Sequence, residues 1–245
     1  KDKIEIFSKA ENIEIRSNTL RNTIEVKYNL RNDNEDSRDR VIETEHVLYL
    51  GGKVPNTKNI GLEKLGVKVD KEGYVEVNSD YQTSVSNIYA GGDVKGFPAM
   101  ASSAFSEGRM ASCRMFGIEA QDLKSEIPYA IYSIPEISNI GLTEKDAKAE
   151  GLDVTVGRAY YKNITQGDIS NQQDGLLKLV FETDTLKLVR VHIIGERASD
   201  LIHLGQAVMS FDGDIRYFIN HVLNYPSYSE AYRIAAFNGI NRVYK

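Results

Sequence analysis

The chain opens with alternation. Ile13 and Ile15, then Ile24, Val26, Tyr28 and Leu30, are separated by polar residues, the period of two expected of a strand with one covered face. The cluster Asn32-Asp33-Asn34-Glu35-Asp36-Ser37 predicts a turn, and Val47-Leu48-Tyr49-Leu50 a short strand ending at Gly51-Gly52. The character then changes, with eight glycines in the 46 positions from Gly51 to Gly96, which predicts tight backbone geometry. Ile88-Tyr89-Ala90 reads as a short buried strand running into Gly91-Gly92-Asp93. After Pro98 a helix is expected from Met100 to Phe116, burying Ala101, Ala104, Phe105, Gly108 and Ala111 at spacings of three and four.

Beyond residue 122 the pattern is that of an α+β unit. Thr143-Glu144-Lys145-Asp146 forms a capping box and Gly151 a stop, so a helix is expected over 143–150. Leu176 to Phe181 and Leu186 to Ile194 predict an antiparallel hairpin around Glu182-Thr183-Asp184-Thr185. Ala198 to Met209 and Ser227 to Arg242 predict two further helices. The chain has no internal repeat and no low-complexity tract.

Composition narrows the function classes. Among 245 residues, 30 Lys and Arg stand against 35 Asp and Glu, a net charge of −5. That mild acidity disfavours nucleic acid as a partner, and no apolar run approaches the length of a membrane span. Cys113 is the single cysteine, so an internal disulfide is excluded and a zinc site would need three other ligands. His46, His192, His203 and His221 show no helical metal-pair spacing, and no metal is expected. These features predict a cytoplasmic protein. The chain begins Lys1-Asp2-Lys3, so it reads as a piece of something longer.

The segment with the most chemistry is Thr83-Ser84-Val85-Ser86-Asn87-Ile88-Tyr89-Ala90-Gly91-Gly92-Asp93. It delivers a carboxylate to the carboxyl end of a strand, where open α/β sheets place ligands. Asp93 can accept hydrogen bonds from polyol hydroxyls, and the helix start at Met100 offers unpaired N–H groups to an anion. A plain Gly-Asp turn before a core helix accounts for the pattern equally well.

This stretch resembles the second flavin-binding motif of the pyridine nucleotide-disulfide oxidoreductase family, a Thr followed by apolar-Tyr-Ala-x-Gly-Asp. The resemblance implies that Gly92 and Asp93 hold the ribityl chain of FAD, and that Met100, Ala101 and Ser102 lie against the pyrimidine edge of the flavin. Leu50-Gly51-Gly52-Lys53-Val54-Pro55-Asn56 is similar to the family's junction between NAD and FAD domains, with Lys53 in place of the usual Arg and its planar fork. Ile127-Pro128-Tyr129-Ala130-Ile131-Tyr132-Ser133-Ile134-Pro135-Glu136 resembles the opening of its C-terminal interface domain. Gly195-Glu196-Arg197-Ala198, Ile202-His203-Leu204-Gly205-Gln206-Ala207 and Asn224-Tyr225-Pro226-Ser227 resemble the soluble pyridine nucleotide transhydrogenase branch.

The resemblance implies an organisation and an activity. Residues 1–50 would be a remnant of an NAD(P)-binding domain, 51–122 the distal segment of an FAD-binding domain, and 123–245 an interface domain forming a homodimer. The fold class is α+β, cut from an α/β parent. No G-x-G-x-x-G is present; the family's two copies would lie upstream of Lys1. The parent would move hydride from NADPH to NAD through FAD, the chain alone being inactive. A dihydrolipoamide dehydrogenase-like disulfide reductase and a purely non-catalytic dimerisation fragment are the alternatives.

Disulfide reductases of the family carry a His before a Pro near the C-terminus and a Glu four residues after it. Here Tyr225 takes the place of the His and Glu230 matches the Glu. A phenol, ionising near pH 10, exchanges protons poorly at neutral pH, which disfavours thiol chemistry. Packing is the expected role of Tyr225. Glu230 is expected to close a capping box with Ser227, and its motif position offers a catalytic role as the alternative. His192 and His203 are expected to be satisfied structural polars, His221 a polar residue at a helix end, and Cys113 an inert buried thiol.

Overall fold

A computed structural model describes residues 4–19, 21–30, 39–121, 123 and 126–244. The chain forms two compact units, Lys1–Pro55 and Asn56–Lys245.

The first unit is an antiparallel meander of β1 (Ala10–Asn18), β2 (Thr23–Leu30) and β3 (Asp39–Thr44). The alternation of Ile13, Ile15, Ile24 and Val26 does form strands, and Ile15, Val26 and Ile42 sit side by side across the ladder. Burial differs from expectation, since Ile13 and Ile15 are both exposed and, among the described residues of this unit, only Tyr28 is buried. The ring of Tyr28 packs against that of Phe7, and Lys27 pairs with Asp39 at 2.6 Å. The turn expected over Asn32–Ser37 lies outside the described residues. The strand expected at Val47–Leu50 does not form: the segment has no ladder partner among the described residues, and Leu48 and Leu50 are exposed.

The second unit begins with a loop-rich stretch held by side chains bonded to backbone. Asp70 accepts from the N–H groups of Glu72 and Tyr74, Asn78 from those of Asp80 and Gln82, and the Thr57 hydroxyl donates to the Gly73 carbonyl. A one-turn helix, α1 (Leu62–Leu65), lies between Gly61 and Gly66, both in the left-handed region. Ile88-Tyr89-Ala90 makes only an isolated bridge between Tyr89 and Gln82, and all three residues are half-buried. The buried strand expected there is therefore absent. A 3₁₀ turn over Gly92–Lys95 leads to α2 (Ala101–Met115).

The remainder is a five-stranded antiparallel sheet in the order β4-β5-β8-β7-β6. Its strands are β4 (Tyr129–Ile131), β5 (Ile137–Gly141), β6 (Val154–Tyr160), β7 (Leu176–Glu182) and β8 (Leu188–Ile194). Short helices α3 (Glu144–Ala149), α4 (Thr165–Ile169) and α6 (Arg216–Asn220) join the longer α5 (Ala198–Ser210) and α7 (Glu230–Val243). The capping box of α3 forms as expected, Thr143 and Asp146 bonding each other's backbone N–H. Gly151 follows in the left-handed region.

Leu177, Leu179 and Phe181 of β7 and Val191 and Ile193 of β8 form one buried face with Ile202 of α5 and Tyr232, Ala235 and Ala236 of α7. The hairpin that the apolar runs predict is thus the centre of the core. Helix α7 approaches β6 closely: a Cβ on Gly157 would run into the Ala235 carbonyl and the Gly239 amide. Asn238 of α7 also accepts the Arg158 N–H of β6 at 3.0 Å, so the edge strand is secured to the helix by close packing and a polar contact together.

Candidate functional site

The Gly-Gly-Asp segment is held by a residue that the sequence pattern does not single out. The Gly92 N–H donates to Oε2 of Glu107 at 2.6 Å, and Lys95 pairs with Oε1 of the same carboxylate at 3.0 Å. Glu107 is 4% exposed, on the inner face of α2 with Ser103, Met110 and Ala111. Of the expected stripe Ala111 is buried and Ala104 half-buried, whereas Ala101, Gly108 and Phe105 are exposed, Phe105 being 81% exposed. Glu107 buries because both its oxygens are answered, which a hydrophobicity pattern does not register. The spacing 103, 107, 110, 111 is itself helical, so the sequence carries a signal for this face.

The anchored turn has Gly92 at φ 73°, where a Cβ would stand 3.0 Å from the Ala104 Cβ. Glycine is required there both by the backbone angle and by the closeness of α2. The Val75 N–H donates to the Val94 carbonyl at 2.8 Å, fixing the turn from its other side. Asp93 follows Gly92 and is exposed.

Helix α2 begins at Ala101 with extended backbone at Met100 and no side-chain cap. The Ser103 hydroxyl accepts the Met100 N–H at 3.3 Å and donates to the Met100 carbonyl at 2.8 Å, so the N–H groups without an intrahelical partner at the positive end of the helix dipole are those of Ala101 and Ser102. Ala101 and Ser102 are exposed. Gly92, Asp93, Met100, Ala101 and Ser102 therefore belong to one turn-and-helix unit braced by Glu107. Such a unit can hold hydroxyls through a carboxylate and an anionic edge through amide N–H groups.

Met100, Ala101 and Ser102 line a cleft of about 730 Å³, whose other wall comes from Ile127, Pro128 and Tyr132 and from Ile202, His203 and Gln206 of α5. At its α5 end Glu136 accepts both the N–H (3.0 Å) and the hydroxyl (2.7 Å) of Ser199. Those two hydrogen bonds hold the Glu136 carboxyl below the usual carboxylate range.

Tyr225 and Glu230 do not line this cleft. Tyr225 is 69% exposed, and its hydroxyl lies 2.7 Å from Thr165 Oγ1. Glu230 does not close a capping box: α7 starts at Glu230 itself with Ser229 as cap, and the Ser227 hydroxyl donates to the Asn224 carbonyl. Ser227 has spent its hydroxyl one turn too early to cap the helix. Glu230 Oε2 is buried and has no hydrogen-bond partner among the described residues.

His192 is half-buried on β8, where the guanidinium of Arg190 donates to its Nε2. Burial, then the nearby charges of Arg190 and Lys178, push its pKa down to about 4. His203 is exposed and bonds Gln206, and His221 stacks on Tyr217. Cys113 is a half-buried free thiol rather than a fully buried one. Among the described residues no helix is long and apolar enough to cross a membrane.

Comparison with known proteins gives consistent matches along the chain. The family model described as "Pyridine nucleotide-disulphide oxidoreductase" matches residues 2–108, and that family's "dimerisation domain" model matches residues 127–236. The chain is 43% identical over 206 residues to the soluble pyridine nucleotide transhydrogenase of Marinomonas sp., covering 83% of this chain and 44% of that protein. The protein of the same name from Yersinia enterocolitica is 44% identical over 207 residues, with the same coverage. The chain thus spans less than half the length of these relatives. In fold it is similar to the HOCl-induced flavoprotein disulfide reductase RclA from Escherichia coli (TM-score 0.80, 21% identity, 91% of this chain, 49% of that one). It is likewise similar to LpdA from Mycobacterium tuberculosis (TM-score 0.79, 22% identity, 91% and 47%). With both family models matched in order and the α+β architecture shared with flavoprotein reductases, the chain belongs to the pyridine nucleotide-disulphide oxidoreductase family.

Proposed function

We propose that this chain carries the distal flavin-holding segment and the dimer-forming domain of an FAD-dependent NAD(P) transhydrogenase. The observation that carries the reading is the Glu107-braced unit, which sets an exposed carboxylate at Asp93 and the open N–H groups of Ala101 and Ser102 on one rigid support. These residues fit FAD. Asp93 would accept ribityl hydroxyls, and Gly92 would let the turn that carries it lie close against α2. The N–H groups of Ala101 and Ser102 would hold the pyrimidine edge and favour negative charge there. When bound, FAD supplies the chemistry of accepting hydride from one nicotinamide and returning it to another. The chain's own part is to orient that group and to exclude alternatives.

Residues 1–50 are assigned to the NAD(P)-binding domain, 51–122 to the FAD-binding domain and 123–245 to the interface domain, which would form a cytoplasmic homodimer. Tyr225 supports transhydrogenation over disulfide reduction. Its hydroxyl is engaged by Thr165, and it offers no imidazole for a thiol proton. Glu230 has no role in the hydride path.

The test uses the full-length protein. It is expected to purify with a flavin absorption band and to reduce an NAD analogue at the expense of NADPH. It should fail to reduce NAD with dihydrolipoamide. A colourless full-length protein, or one active with dihydrolipoamide, overturns the assignment.

A further inference from the structure

Opposite the α2 start, the same cleft carries an imidazole. His203 of α5 holds its Nδ1 2.9 Å from Gln206 Oε1. The Gln206 amide nitrogen points instead to the Glu126 carbonyl, at 3.5 Å. An amide oxygen only accepts, so Nδ1 is the donor in this bond. Nε2 is left with a free lone pair, and it has no partner among the described residues. The ring is thus held in one tautomer, in the cleft that receives the positive end of α2. This is how a protein prepares an imidazole to take a proton at a chosen atom.

The other ionisable groups on the elements around the cleft do not compete for that role. Glu107 is spent on Gly92 and Lys95, and Glu136 is spent on Ser199. Glu126 and Asp200, as carboxylates, favour a cationic imidazole rather than opposing it.

We infer that His203 is a positioning residue that takes up a solvent proton at Nε2 when negative charge enters the cleft. The inference rests on the flavin reading above. Hydride from a reduced nicotinamide brings two electrons and one proton, which leaves one negative charge beside the Met100–Ser102 helix start. A proton from solvent then adds to Nε2 and restores the charge balance, and no covalent bond of the chain breaks. Proton affinity and flavin potential are linked reciprocally, so each must report on the other.

The experiment uses the full-length flavoprotein, wild type and His203→Asn, checked for equal FAD content and circular dichroism. The flavin midpoint potential is measured against pH from 5.5 to 8.5 with redox dyes. In the wild type the slope is expected to steepen over an interval of about one pH unit, because reduction raises the proton affinity of His203 about tenfold. H203N should lack that interval. As a measurement on the wild type alone, the imidazole resonance of His203 should titrate at higher pH in the reduced protein than in the oxidised one. An unchanged slope profile in H203N, or identical titrations in both redox states, overturns the inference. A full-length protein with no flavin band overturns the flavin reading itself, and is seen before any variant is made.

Discussion

The Gly92 amide and the Glu107 carboxylate, fifteen positions apart, meet at 2.6 Å inside the second unit. The contact ties the Gly-Gly-Asp turn to the middle of α2, so the turn and the helix start two turns upstream move as one body. Lys95 closes the arrangement by neutralising the same carboxylate. A buried carboxylate is costly unless paired, and here the pairing also positions the candidate ligand-binding groups.

Replacing that carboxylate separates bracing from charge. In the full-length protein, Glu107→Leu should lower the urea-unfolding free energy by about 2–3 kcal/mol, because it leaves the Gly92 N–H unanswered and the Lys95 ammonium with only the Phe97 carbonyl. Bound FAD should also fall, as read by absorbance after gel filtration. Glu107→Gln keeps an acceptor for Gly92 and should retain more flavin than Glu107→Leu. Equal flavin content in the two variants would show that the brace does not shape the site.

The contact of α7 with β6 has a stricter requirement. Gly157 and Gly239 let the helix backbone approach the strand, and Phe181 fills the adjoining space. Gly157→Ala should cost about 2 kcal/mol or more, the price of overpacking where the obstacle is backbone. It should also loosen the Arg158–Asn238 bond. Thermal unfolding and amide exchange at Arg158 check both effects.

Tyr225 sits at the motif position where a proton-handling group would be expected in a thiol enzyme. If its role is packing, Tyr225→Phe should change NADPH-to-NAD turnover of the full-length protein by less than about threefold, the size of one exposed hydrogen bond of about 0.5 kcal/mol. Thr165→Ala removes the same bond from the other side and should behave alike. A hundredfold loss in Tyr225→Phe alone would make the phenol a catalytic group.

The elements that the sequence predicts correctly are those whose periodicity is set by one buried face. The β7–β8 hairpin, α3 and α5 each bury a regular set of apolar residues or carry a complete cap. Where the reading departs, the cause is a contact between distant residues. The inner face of α2 is misassigned because Glu107 is buried by Gly92 and Lys95, neither of which a helical wheel contains. Val47–Leu50 has strand composition but no ladder neighbour among the described residues, and Ile88–Ala90 pairs only with the adjacent Tyr81–Thr83 in a single bridge; local composition cannot supply a longer partner. Ser227 and Glu230 have the spacing of a capping box, yet the Ser227 hydroxyl serves Asn224. The Gly92–Asp93 and Met100–Ser102 segments were both legible as motifs; the brace that joins them was not.

The pH dependence of stability provides a test on the exposed side of the sheet. Arg190 donates to Nε2 of His192, to Asn139 Oδ1 and to the Gly141 carbonyl, so the folded state needs Nε2 unprotonated. With a folded pKa of about 4 against an ordinary 6.5, the unfolded chain binds more protons between those values. Stability from this site is therefore fully present above pH 6.5 and is lost as pH falls toward 4. Carboxylates such as Glu136 and Glu144, whose pKa values are lowered by Ser199 and Lys178, weaken the protein in the same direction. The informative quantity is hence the difference between wild type and His192→Gln. The urea midpoint of the wild type should fall more steeply than that of the variant between pH 6.5 and 4. The two curves should run parallel above pH 7. Parallel curves throughout would mean that Arg190 gives way to a protonated His192 at no cost, and that the contact contributes nothing to stability.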